Sequence, residues 1–371
     1  MDNYFVGLMS GTSLDGIDAA LIRTDKKGKI GIISCLSSPF PDHIPAQIRK
    51  LTGGQTESLH ELCTLDAELG EIYAKVTLEL IKRSSYKPHD ITAIGCHGQT
   101  IRHQPEGRHP YSLQIGNPSV IAEITQITTV SDFRSRDIAA GGQGAPLVPA
   151  FHRAVFSDQE QQRVIVNIGG IANITLLPQA NSGSIVSGYD TGPGNCLLDA
   201  WSLSCRGLNI DEDGCWAESG NIDRQLLDAL LADKYFSKSS PKSTGTEYFS
   251  LDWLETTYPL VTDLDAENVQ ATLAELTAHT IALSIIREGY DSNEVYLCGG
   301  GVHNKDLTRR IQRHLSKAKL HTTETLGLDP DYVEATAFAW LARCTMEKQA
   351  GNLPAVTGAG HPVILGGVYP A

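Results

Sequence analysis

The chain has 371 residues, 41% of them hydrophobic and 20% charged, with a formal net charge of −13. That length supports two domains with sizeable cores, and the acidic balance argues against nucleic acid or an anionic membrane as the main partner. Eight cysteines without a CxxC pair, no signal-peptide pattern at the N-terminus and no apolar run near the roughly 20 residues that span a bilayer lead us to expect a cytoplasmic protein.

In chain order, residues 4–9 predict a strand, 10–16 a small polar turn and 17–22 a returning strand. The tip offers backbone N–H groups and hydroxyls to a phosphate, and Asp15 or Asp18 can hold Mg²⁺ through water. Ordinary hairpin turns use the same residue types, and taken alone this stretch favours that plainer reading. A third strand is expected at 30–34. Residues 59–82 form an amphipathic helix, with Leu65, Leu69, Ile72, Val76 and Leu80 at helical spacing. The run 91–95 reads as a strand buried on both faces, followed by Cys96-His97-Gly98-Gln99-Thr100. In open α/β sheets ligands bind beyond the carboxyl ends of strands, which makes His97 and Gln99 candidate sugar contacts. A lone histidine there is more often structural. Strand 127–130 leads to Ser131-Asp132-Phe133-Arg134, and Arg134 and Arg136 either bind an anion or pair with Asp132 and Asp137. A helix at 146–156 opens the second domain.

In that domain strand 164–170 ends in Gly169-Gly170, and the stretch 187–195 reads as a glycine-rich turn. Gly192, Pro193 and Gly194 leave the backbone bare to a phosphate, and a helix starting near Asn195 aims its positive end at the same place. Asp190 stands just ahead of the turn, either as base or metal partner to a ligand or as a residue bonding its own turn. Asp211-Glu212-Asp213-Gly214 lacks calcium-loop spacing because Cys215 follows, and it reads as a turn. Lys242-Ser243-Thr244-Gly245 lacks a Walker pattern and reads as a solvated loop. A helix over 269–286 and a strand over 295–298 precede Gly299-Gly300-Gly301, where a flat ligand can press on backbone; close packing of backbone alone is the plainer reading, less expected for three in a row. Asp329-Pro330 caps a helix running through Trp340 and Arg343. Glu334 lies near its start, on the exposed face or turned inward. Residues 351–360 read as a loop and 363–369 as a final strand.

No Walker A, GxGxxG with a Rossmann-spaced acid, GxSxG or HExxH pattern is present. An ordered set of phrases is: GLMSGTSLDGID (7–18), GQT (98–100), QIGNP (114–118), DFR (132–134), GGQGAPLVP (141–149), NIGGIAN (167–173), DTGPGN (190–195), PKSTG (241–245) and CGGG (298–301). The set resembles the anhydro-N-acetylmuramic acid kinase family, within the acetate kinase, sugar kinase, Hsp70 and actin superfamily. The resemblance runs almost end to end.

It implies an α/β protein with the two-domain, actin-like ATPase (ribonuclease H-like) fold and an interdomain cleft. Residues 1–150, joined by 355–371, would make one domain and 151–354 the other. The implied reaction uses ATP, Mg²⁺ and water to turn 1,6-anhydro-N-acetylmuramic acid into N-acetylmuramic acid 6-phosphate during cell-wall recycling. By resemblance Gly11, Thr12, Ser13, Leu14, Asp15, Gly16, Ile17 and Asp18 line the ATP phosphates, and Asp190 is the general base. Glu334 matches an acidic position near the sugar, beside His97, Gln99 and Arg134. The glycines Gly169, Gly170, Gly192, Gly194, Gly299, Gly300 and Gly301 are expected at the nucleotide, with Mg²⁺ held through its phosphates. The family suggests a homodimer. Two rivals remain at this point: a plain sugar or carboxylate kinase in which Asp190 deprotonates a hydroxyl, and an ATP-gated binding protein of the Hsp70 or actin kind.

Overall fold

The computed structural model describes residues 2–11, 13–25, 28–53, 58–290 and 293–371. The chain divides into two compact units, Met1–Val155 with Tyr332–Ala371, and Phe156–Asp331. Each is a sheet with helices packed on it, the α/β class expected.

In the first unit β1 (Asn3–Met9) and β2 (Gly16–Thr24) form the expected hairpin, with Met9 opposite Asp18. The next strand, β3 (Ile30–Pro39), runs past residue 34 because it pairs with β2 along its whole length, Gly16 opposite Pro39. Parallel to β1 lies β4 (Ala93–Cys96). A separate two-stranded ribbon is made by β5 (Gln99–Gln104) and β6 (Tyr111–Ile115), and β7 (Thr129–Ser131) pairs with β4. The last strand of the chain, Gly367–Tyr369, closes the six-stranded sheet against β7.

Helix Leu59–Lys82 has the predicted bounds. Ser58 Oγ accepts the Glu61 N–H at 3.2 Å while Glu61 Oε2 accepts the Ser58 N–H at 2.9 Å, a reciprocal cap that fixes where the helix begins. Its buried stripe, Leu65, Leu69, Tyr73, Val76 and Leu80, packs into the core of this unit with Leu8, Leu21 and Ile94.

Helix Val333–Met346 belongs to this first unit, which corrects the expected boundary at 354. The reason is steric. A Cβ on Gly7 of β1 would strike the Ala335 carbonyl oxygen, and one on Gly95 of β4 would strike that of Phe338. Two glycines let the helix backbone lie directly on the sheet. Local sequence cannot announce that contact.

The second unit is a five-stranded sheet in the order β10-β9-β8-β11-β12, formed by β8 (Arg163–Ile168), β9 (Ile171–Leu177), β10 (Ser187–Pro193), β11 (Glu294–Cys298) and β12 (Lys319–Thr322). Gly169-Gly170 is the β8–β9 turn, and β8, β11 and β12 run parallel. The stretch expected as a glycine-rich turn is largely β10, antiparallel to β9, with an irregularity between Asp190 and Gly192. Helix Ala266–Arg287 has the length and apolarity of a membrane span, contrary to the expectation that no such run exists, yet 83% of its apolar window is buried within the protein. It packs Ala278, Ile281 and Ile285 against Val164, Val166, Ile174 and Leu297 of the sheet.

Candidate active site

In the second unit Asp190 is held from three directions. Its N–H donates to the Lys242 carbonyl at 3.2 Å and its carbonyl accepts the Tyr235 hydroxyl at 2.7 Å. One carboxylate oxygen, Oδ2, accepts the Thr244 N–H at 3.0 Å. Segment 242–244 therefore lies along the outer edge of β10 and orients the carboxylate through backbone. Lys242, expected on a solvated loop, is buried; its Nζ donates to the Tyr235 carbonyl at 3.3 Å and sits 4.6 Å from the Tyr235 ring centre. Burial lowers the Lys242 amine from its ordinary range, as does Arg287, while Asp190 pulls it back up.

The glycines around Asp190 serve packing more than the sequence suggests. A Cβ on Gly194 would strike the Gly169 carbonyl oxygen, and one on Gly192 would come within 2.7 Å of the Phe236 ring. The N–H groups of Gly194 and Cys196 donate to the Gly170 carbonyl, and that of Asn195 to Gly169. The amides of 194–196, the last of them the first of helix Cys196–Arg206, are thus taken up by the β8–β9 turn, so the backbone there is not bare as expected. Gly169 itself has only the Ile171 carbonyl oxygen, 3.6 Å from where its Cβ would be.

The triplet after β11 divides the same way. Side chains at Gly299 and Gly301 would collide with Asn167 and Ile168, whereas nothing lies within 4 Å of a Cβ on Gly300. Only the exposed middle glycine borders open space.

In the first unit two of the candidates, His97 and Arg134, meet by direct contact. His97, buried and 4.7 Å from the Phe338 ring, accepts Arg134 Nε–H at 3.2 Å and Nη2–H at 2.8 Å on its Nε2. Burial, seconded by the Arg134 charge, pushes the imidazole well below its usual range, so it is neutral with its proton on Nδ1. Arg134 also donates to the Gly144 carbonyl at 2.7 Å. Asp132 accepts the Ser135 hydroxyl, and Asp137 takes Gly144 N–H, Asn352 and Thr357.

Gln99, buried, donates to the Gly11 carbonyl at 3.4 Å and keeps its Oε1 without a protein partner. Glu334 is half-buried, close enough to Arg134 and Asp18 to feel both charges. Burial raises its carboxyl to about 7, with Asp18 reinforcing the shift and Arg134 opposing it. Asp18 Oδ1 lies 2.6 Å from the Ser37 hydroxyl, itself 3.1 Å from the Tyr332 hydroxyl.

Along the hairpin tip the expected phosphate contacts separate. Gly11 is nearly open, its would-be Cβ 3.5 Å from Ser13 Oγ, and Ser13 donates to the exposed Asp15 at 2.8 Å. Leu14 and Ile17 instead bury their side chains in the core, and Gly16 packs against the Ser38 carbonyl. These three can meet a ligand only through backbone. Thr12 lies outside the described residues.

A family model for anhydro-N-acetylmuramic acid kinase matches residues 3–371. The chain belongs to this family. Proteins named anhydro-N-acetylmuramic acid kinase are 48% identical over 369 residues in Nitrosomonas europaea, covering 99% of this chain and 100% of the relative. In Coxiella burnetii the figure is 46% over 365 residues (98% and 97%), and in Pseudomonas syringae pv. tomato 46% over 371 residues (100% of each). Among solved structures, a ROK family glucokinase from Streptomyces griseus in complex with glucose and AMPPNP aligns over 92% of this chain and 99% of that one, with a TM-score of 0.40 at 11% identity.

The kinase therefore presents Asp190 with Lys242, Thr244 and Tyr235 in one unit, and in the other His97 with Arg134, Glu334 and Asp18 within reach of the Arg134 charge network, and Gln99 on the Gly11 carbonyl. Sequence reasoning missed Lys242, Thr244 and Tyr235 as supports of Asp190. The available signal was the phrase at 241–245, which recurs in the family set although its spacing matches no phosphate loop.

Proposed function

We propose that Asp190 is the general base for water attacking C1 of the anhydro sugar while O6 captures the γ-phosphoryl group of ATP. The enzyme is an ATP-dependent kinase of 1,6-anhydro-N-acetylmuramic acid, acting in murein recycling, as its family membership entails. The observation that supports Asp190 in this role is its fastening, one carboxylate oxygen on the Thr244 N–H and its backbone tied on both sides. A base so oriented acts without reorganisation.

The step balances as follows. Water gives a proton to Asp190 as its oxygen bonds to C1. The C1–O6 bond breaks with its electron pair going to O6. That oxygen bonds to the γ-phosphorus as the bond to the ADP oxygen breaks. Products are ADP, a sugar 6-phosphate inverted at C1, and the proton that Asp190 returns to solvent. Opening a glycosidic bond by inversion normally takes a second carboxyl to protonate the leaving oxygen. Phosphoryl capture of O6 takes over that task, so one carboxylate suffices.

In this reading Gly11 to Asp18 hold phosphates, Gly300 admits the nucleoside, and His97, Gln99, Arg134 and Glu334 contact the sugar. The unpartnered Gln99 Oε1 suits a sugar hydroxyl. Among the described residues no three His, Cys, Asp or Glu side chains gather as a metal cage. Asp18, with Asp15 nearby on the tip, fits magnesium held through water and ATP phosphates. When bound, that ion neutralises charge on the transferring group.

Turnover in ¹⁸O-water tests the route. Label should enter the anomeric hydroxyl and not the phosphate ester, with the inverted anomer appearing first. Efficient phosphorylation of already opened N-acetylmuramic acid would favour Asp190 acting on the 6-hydroxyl instead. Label in the phosphate would mean water attacks phosphorus, and would refute the mechanism.

A further inference from the structure

The mechanism above leaves a buried cation unused. Lys242 is only 8% exposed, next to a catalytic carboxylate, and burying an ammonium is costly unless something answers its charge. Its Nζ lies 4.6 Å from the Tyr235 ring centre and 5.5 Å from that of Tyr189, and donates to the Tyr235 carbonyl at 3.3 Å. The two segments it joins, around 235 and 242–244, are those that hold Asp190: Tyr235 hydroxyl to the Asp190 carbonyl, Lys242 carbonyl to its N–H, Thr244 N–H to its carboxylate.

We propose that Lys242 is a positioning residue for Asp190, its ammonium clamping together the two segments that orient the carboxylate and favouring the ionised form of that carboxylate. The inference rests on the reading of Asp190 as the base. Cation–π contact with two tyrosines and the nearby carboxylate are what make the buried ammonium tolerable. The other charged and titratable groups acting on it are Arg287 and Lys238, both repelling it; Arg287 is itself tied to the Phe236 carbonyl at 2.8 Å. Asp190 therefore supplies the attraction in this set, and by reciprocity Lys242 supports the negative charge on Asp190.

Lys242→Met tests this, because it keeps the aliphatic stem against the rings and removes only the ammonium. With ATP, magnesium and anhydro sugar, kcat should fall roughly 10- to 100-fold with KM for ATP within about twofold. The acid limb of the kcat–pH profile should move to higher pH by roughly 0.5–1 unit, since a carboxylate without its cation is protonated more readily. A purely structural role would lower thermal stability and activity alike at every pH. Folded Lys242→Met with parental kcat, or with a loss uniform across pH, overturns the proposal. If Lys242→Met does not fold, Lys242→Arg carries the test: charge is retained, so the acid limb should stay in place while kcat falls, and a moved limb refutes the idea. Asp190→Asn run in parallel separates the two claims. Near-parental turnover there overturns the base and this inference together, whereas an inactive Asp190→Asn beside an unaltered Lys242→Met overturns only the role of Lys242.

Discussion

Replacing Asp190 with asparagine removes the basicity and the negative charge and keeps the shape. The amide keeps a carbonyl oxygen to accept the Thr244 N–H, and the backbone bonds to Lys242 and Tyr235 do not involve the side chain. What changes structurally is the charge: the Thr244 N–H meets a neutral acceptor, a loss of about 1 kcal/mol, and the buried Lys242 ammonium loses the carboxylate that attracts it. A positioned general base contributes about 10²–10⁴-fold, or roughly 3–5 kcal/mol of barrier. The chemical effect should exceed the structural one, so kcat falls by that factor while the thermal midpoint drops by a few degrees. Steady-state ADP release, with thermal unfolding of the same samples, measures both quantities. KM for ATP should stay within about twofold, because uniform binding is untouched. A folded Asp190→Asn protein with kcat within tenfold of the parent would refute the argument, and would leave Asp190 as a residue that merely fastens segment 242–244 to β10.

Gly300→Val should leave the melting temperature unchanged, as nothing lies within 4 Å of its Cβ, yet raise KM for ATP; unchanged nucleotide affinity would take Gly300 out of the binding site. Asp137→Ala orphans the buried donors on Gly144, Asn352 and Thr357, 2.7–2.8 Å away, and should cost about 3–5 kcal/mol in urea unfolding; a loss under 1 kcal/mol would contradict that accounting. Glu334 carries a carboxyl raised to about 7, so between the ordinary carboxyl range near ~4.3 and that value the folded state holds a proton that the unfolded chain has lost. The parent should therefore lose stability as pH rises through that window, and Glu334→Gln should be the more stable of the two at pH 8 but not at pH 4. Parallel stability–pH curves would disprove the shift.

Much of this protein is readable locally. Helix Leu59–Lys82 shows its own cap and its own apolar stripe, and the β1–β2 hairpin and strand β11 are bounded by turn residues and glycines that any window reveals. The family phrases are legible for the same reason, each being a short run whose order along the chain needs no folding to be seen.

Tertiary contact decided the rest. Residues 187–193 carry the composition of a turn but form a strand, because β9 on one side and, at Asp190, segment 242–244 on the other take up backbone hydrogen bonds. Lys242 reads as solvated and is buried, since the tyrosine rings that receive it come from elsewhere in the chain. Gly194, Gly299 and Gly301 look like openings for a ligand and are filled by neighbouring backbone and side chains. Helix Val333–Met346 joins the first unit because Gly7 and Gly95, more than two hundred residues upstream, leave room for its backbone. Residue type limits what a position can do, but whether a glycine admits ligand or protein, and whether a charge meets water or a partner, depends on atoms brought there by distant segments.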